Sequence, residues 1–171
     1  MTEAGAGAQQ PPQIGVDVES DQARELLGEL FDDDEIHECA GGVPADVDLC
    51  VVDETALQTD PARFAGWQEQ QSPVFAPVVL LSGSSPATAR DAYVAQSPVR
   101  CESIIELPHP TAELRIRLDN LLQRRTLSRE LADEKQLTAS IFDSSPLADT
   151  AGLAGQLEDA YEALMPRREG A

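Results

Sequence analysis

Two short, almost uninterrupted apolar runs, Asp48-Leu49-Cys50-Val51-Val52-Asp53 and Val78-Val79-Leu80-Leu81-Ser82, constrain the fold more than any other feature of the chain. A strand with one face in water alternates apolar and polar side chains. A strand covered on both faces reads as a continuous apolar stretch, as buried parallel strands do. Each run also closes on a polar residue, Asp53 in one case and Ser82 in the other.

Helical patterns separate these runs from weaker ones. Gln13-Ile14-Gly15-Val16-Asp17 reads as a short strand. Ser20 then caps a helix whose Ala23, Leu26, Leu27, Leu30 and Phe31 recur on one face. Glu35 to Cys39 reads as a second strand. Asp60-Pro61 pairs a cap with a first-turn proline and opens a helix carrying Phe64 and Trp67, expected in the core. Ser85-Pro86 opens another helix through Ala92 and Tyr93, and Ile104-Ile105 marks a last strand. Pro108 to Thr111 leads into a long helix with a core stripe of Leu114, Leu118, Leu121 and Leu122. The order βα β β α β α β α predicts a parallel sheet covered on both faces. The link from the second strand to the third holds Gly41, Gly42 and Pro44 and is shorter than the roughly dozen residues a helical crossover needs. The long helix is expected to continue to Leu137 or Ile141, with Leu127, Leu131 and Ile141 as a weaker stripe. Ser144-Ser145-Pro146 breaks it, and a terminal helix is expected from Leu153 to Met165. Residues 1–12 read as a disordered lead.

The charge is extreme: 31 acidic residues against 12 basic ones give a net −19, and Lys135 is the only lysine. Such a surface repels nucleic acid and anionic lipid. It suits either an acidic protein with a basic partner or a halophilic protein whose carboxylates hold water in concentrated salt. Acids spread along the whole chain favour the halophilic setting, so the charge is assigned to environment rather than function. Cys39, Cys50 and Cys101 are odd in number and lack a metal-like spacing, and are expected to be small buried residues of a reducing compartment. Nothing in Met1–Pro12 resembles a signal peptide and no apolar run reaches the length of a membrane span, so a cytoplasmic protein without membrane contact is expected.

In open parallel sheets functional groups gather at the carboxyl ends of central strands. Here those ends carry Asp17 and Glu19, Asp53 and Glu54, and Ser82. Adjacent carboxylates of this kind can hold a hard cation such as Mg²⁺, and one of them can accept a phosphoryl group. His37 and His109 have no nucleophile at informative spacing, and no phosphate-binding glycine loop is present. Arg124, Arg125 and Arg129 are followed by Glu130, Asp133 and Glu134 and read as solvated surface. A small enzyme using the strand-end carboxylates would lack an acid/base pair and a cofactor loop.

Over residues 13–125 the element order, with Asp53 and Ser82 closing their strands, resembles the receiver domain of two-component response regulators. The resemblance implies a flavodoxin-like, doubly wound α/β fold with five parallel strands in the order 2-1-3-4-5, here with the second helix lost and a long C-terminal helical extension. It places the phosphoacceptor at Asp53 and the phosphate-sensing hydroxyl at Ser82. It implies Mg²⁺ ligands at Glu19, Asp53 and the backbone carbonyl of Thr55. Two departures stand out. The acidic pair after strand one becomes Val18-Glu19, and the lysine expected before a proline after strand five is replaced in Leu107-Pro108. A lost cation of that kind removes a charge-assisted contact of about 1.5–3 kcal/mol.

The expectation is therefore a degenerate receiver of the kind found in haloarchaeal signalling proteins. It would act through protein contacts in a phosphorelay pathway and not as an enzyme, with a sensor histidine kinase or other signalling protein as partner. Residues 126–171 form a helical linker or tail that can mediate a homodimer. Within that tail, Gln136 to Ala148 resembles the opening of a PAS sensor domain. The alternative is a working response regulator phosphorylated on Asp53 by a histidine kinase.

Overall fold

The computed structural model describes residues 11–143, with side chains as far as Ser140. The two apolar runs become β3 (Leu49–Asp53) and β4 (Val78–Ser82), each buried along its whole length. They pair in parallel inside a five-stranded sheet ordered β2-β1-β3-β4-β5, with β1 at Ile14–Asp17, β2 at Ile36–Glu38 and β5 at Cys101–Glu106. All four pairings are parallel: Ile14 sits against Ile36 and Leu49, Asp53 against Leu81, and Ser82 against Glu106. The order 2-1-3-4-5 is the expected one.

Helices cover both faces. α1 (Asp21–Leu30), capped by Ser20, packs Ala23, Leu27 and Leu30 with Leu114, Leu118 and Leu121 of α5 (Thr111–Asp143) over Val16, Val51 and Leu81. On the opposite face α2 (Glu54–Thr59) and α3 (Pro61–Gln71) place Leu57, Phe64 and Trp67 over Val52, Val78 and Leu80. Phe64 and Trp67 are buried, as their spacing implied, and burial of a ring the size of Phe64's stabilises by roughly 1.5–3 kcal/mol. α4 (Pro86–Ala89) begins at the Ser85-Pro86 signal and then widens into a π-helical turn at Arg90–Val94, where Ala95 N–H reaches Arg90 O at 2.8 Å. One regular helix through Tyr93 was the expectation.

The link from β2 to β3 carries no helix. Side chains from elsewhere pin it instead. Arg63 of α3 donates to the carbonyls of Cys39 and Ala40, both at 2.7 Å, and Gln71 donates to Ala45 O at 3.0 Å. Val47 at its end is completely buried. Gly15 leaves the space that Val47, Cys39 and Cys50 fill, because a Cβ there would lie 2.8 Å from Cys39 Sγ and 3.0 Å from Val47 Cγ1. The cysteines are free: Cys39 and Cys50 are buried and Cys101 is partly buried, with burial pushing the Cys101 thiol up to about 11.

The arginine cluster corrects one expectation. Arg125 is only 1% exposed, not solvated surface. It donates to Asp48 Oδ1 (3.1 Å), Phe75 O (2.8 Å), Val47 O (3.0 Å) and Gln71 Oε1 (2.7 Å). Burial pulls its pKa down, and the Asp48 contact opposes that shift. Arg129 reaches the same Asp48 oxygen at 2.8 Å, while Arg124 stacks on Phe75. The acidic neighbours in sequence gave no sign of this, because the partners come from the start of β3 and the end of α3.

The chain divides into two compact units between Glu130 and Leu131, and α5 begins in the first and continues into the second. Residues 1–10 of the lead expected over 1–12, the segment 153–165 expected as a terminal helix and the end of the stretch expected to resemble a PAS opening lie outside the described residues. Among the described residues no helix is long and apolar enough to cross a membrane.

Candidate functional site

The carboxyl ends of β1, β3, β4 and β5 meet at one rim of the sheet because the strands are parallel and nearly in register. A cavity of about 380 Å³ opens there, lined among others by Glu19, Asp53, Glu54, Thr55, Gly83 and Leu107. The fold thus brings Glu19, Asp53 and Thr55 to one place, and Ser82 lies at the same rim, one position beyond the Leu81 that pairs with Asp53.

Asp53 is 8% exposed and its carboxylate is taken up by the protein's own backbone. Oδ1 accepts from Ala56 N–H at 2.9 Å, which makes Asp53 the N-cap of α2. Oδ2 accepts from Glu19 N–H at 2.6 Å and from Ser20 N–H at 3.4 Å, which ties the β1–α1 loop to β3. The helix capped in this way was not foreseen. Acids at the end of a strand suit a turn, yet aspartate is also among the preferred N-cap residues of a helix.

The other strand-end groups are also engaged. Asp17 does not enter the cavity: its carboxylate pairs with Arg63, which also holds the β2–β3 link. Val18 is 1% exposed and packs into the core shared by α1 and α5, so Glu19 is the only acid of the Val18-Glu19 position. Ser82 is equally buried. Its hydroxyl donates to Glu54 Oε1 and accepts from Ser84 N–H at 2.9 Å. Leu107 is half-buried against the α1/α5 core and its N–H donates to Ser82 O at 2.7 Å, so the end of β5 offers the cavity an apolar side chain and no cation. Arg24, in the first turn and a half of α1, directs its Nε back to Val18 O at 2.9 Å.

Mg²⁺ needs several oxygen ligands with lone pairs to spare, usually including more than one carboxylate. Here the Asp53 oxygens and Glu54 Oε1 are already oriented by bonds from N–H groups and from the Ser82 hydroxyl, so a cation would have to share them. Among the described residues no group of three or more His, Cys, Asp or Glu side chains is placed to hold a metal ion. The donor set around Glu19, Asp53 and Thr55 does not fit the cation that the receiver resemblance implies. An incoming phosphoryl group would meet the carboxylates of Glu19 and Glu54 without a compensating charge among the lining residues.

No protein-family model matches the chain, and no curated protein matches it. Among solved structures it is similar to NtrX from Brucella abortus, crystallised in complex with ADP, with a TM-score of 0.54 and 19% sequence identity. The match covers 74% of this chain and 30% of NtrX, so the chain spans less than a third of that neighbour's length. At that identity the similarity bears on the fold alone, and it agrees with the flavodoxin-like α/β sheet of five parallel strands in the order 2-1-3-4-5.

Proposed function

We propose that the chain is a degenerate receiver, a signalling module that works through protein contacts in a two-component pathway and not through phosphoryl transfer. The observation that carries this reading is the cavity beside Asp53, which is lined by Glu19, Glu54 and Leu107 and by no cation, while the Asp53 carboxylate itself caps α2 and holds the β1–α1 loop through bonds from Ala56, Glu19 and Ser20. A nucleophile needs a free lone pair and a countercharge for the group it attacks. Oδ1 of Asp53 accepts one bond and keeps a lone pair, so what the site lacks is the countercharge: the end of β5 supplies Leu107, and the lining of the cavity holds no cation. The module has no catalytic activity of its own, and its partner is a sensor histidine kinase or another signalling protein. Helix α5 is the output or dimerisation element. It carries all the large apolar side chains that stand exposed among the described residues: Ile116, Leu127, Leu131 and Leu137. The net charge of −19 argues against nucleic acid as a partner and fits a salt-rich cytoplasm.

The competing reading, a response regulator phosphorylated on Asp53, draws support from the cavity that opens beside Asp53 and Glu19. Intact-mass measurement after incubation with Mg²⁺ and a small-molecule phosphodonor separates the two. A degenerate receiver keeps its mass. A phosphoryl adduct on the wild-type chain that is absent from Asp53→Ala would establish the competing reading.

A further inference from the structure

We propose that Glu54 is the built-in anionic partner of Ser82 and that this contact fixes the β4–α4 loop in one conformation without any covalent modification. The inference deepens the degenerate-receiver reading and rests on it. A buried hydroxyl needs an acceptor for its proton, and a charged acceptor holds it more firmly than a neutral one. In this chain that acceptor is a carboxylate. Glu54, the first residue of α2, turns its Oε1 to the Ser82 hydroxyl, and the same hydroxyl accepts from Ser84 N–H at 2.9 Å.

The bonds form a continuous path. Asp53 caps α2 and thereby fixes where its first residue stands, Glu54 holds Ser82, and Ser82 holds the backbone two residues on. Ser85 then caps α4, and the carbonyl of Ser82 takes the N–H of Leu107 at the end of β5. Ser82 is 1% exposed, so its hydroxyl cannot exchange Glu54 for bulk water without a change in the loop. A buried hydroxyl bonded to a carboxylate is among the stronger neutral-to-charged contacts, and leaving it unpaired is costly. Gly83, between the two bonded residues, is exposed and has open space where a Cβ would stand, so the loop is not held by packing at its tip. The Glu54–Ser82–Ser84 path is the polar contact that ties the start of this loop to α2, beside the Ser85 cap at its end.

The test is amide hydrogen exchange on the full chain, read at Ser84 and through residues 85–94, for the wild type, Glu54→Ala, Glu54→Gln and Ser82→Ala. Glu54→Ala should speed exchange at Ser84 at least about tenfold and carry the effect into α4 and the π-helical turn. Glu54→Gln, which keeps an acceptor oxygen, should lie nearer the wild type. The double variant Glu54→Ala/Ser82→Ala should match a single variant, because both remove one path. Unchanged exchange at Ser84, a response confined to α2, or additive effects of the two substitutions would overturn the proposal. The intact-mass experiment is independent of these outcomes. A phosphoryl adduct would remove the degenerate-receiver reading, whereas a flat exchange profile with no adduct would remove only the role of Glu54.

Discussion

Three single residues carry roles that their types alone do not announce. Gly15 is a space-keeper: its missing Cβ makes room for the thiols of Cys39 and Cys50 and for Val47. Gly15→Ala should lose about 1–3 kcal/mol in urea unfolding, the usual cost of overpacking, and Cys39→Ala should recover part of it by removing the nearest atom. Arg125 is a buried cation whose guanidinium joins α5 to Asp48, Val47, Gln71 and Phe75. Arg125→Ala strands those acceptors and should cost about 3–5 kcal/mol by the same measurement. A loss below about 1 kcal/mol would mean that Arg129 alone satisfies Asp48. Asp53, the third, is treated with the global stability below.

At the level of elements, Arg63 stands in for a missing helix. Its bonds to Cys39 O and Ala40 O and its pair with Asp17 hold the β2–β3 link against α3. Arg63→Ala should therefore raise amide exchange through residues 36–42 while β3 and β4 stay protected, and uniform loosening of the sheet would speak against a local role. Helix α5 presents Leu127 at 56% exposure and Leu131 at 52%. If it is the dimer contact, Leu127→Glu with Leu131→Glu shifts sedimentation towards the monomer without lowering the melting temperature. These elements also show what the sequence made legible. β3 and β4 were readable because both faces of a central strand demand apolar side chains, and α1 and α3 because Ser20 and Asp60-Pro61 mark their starts. The absence of a helix before β3 followed from the short Gly- and Pro-bearing link. The strand-end positions of Asp53 and Ser82 followed from the same runs. Their hydrogen-bond partners did not, because Glu19 N–H, Ala56 N–H and the Glu54 carboxylate are set by how loops from different strands meet. The burial of Arg125 is not legible in the sequence because its partners lie 50 to 78 positions away.

For the molecule as a whole, the fold and the charge set two further expectations. A chain with net charge −19 pays for compaction through self-repulsion, and salt shortens the reach of that repulsion from about 10 Å at 0.1 M to about 3 Å at 1 M. Its melting temperature should climb by several degrees between those potassium chloride concentrations, and a flat response would argue against a salt-adapted surface. The stability of the whole chain also reports on Asp53. An acid kept for chemistry at a strand end is commonly a burden on the fold, so its removal leaves stability unchanged or raises it. An acid that caps α2 and accepts from Glu19 N–H is a structural anchor. The most direct measurement is the unfolding free energy of Asp53→Ala beside the wild type. An anchor predicts a loss of about 2–4 kcal/mol, from the missing cap and the N–H group left without a partner. A variant as stable as the wild type, or more stable, would contradict it and return Asp53 to chemistry.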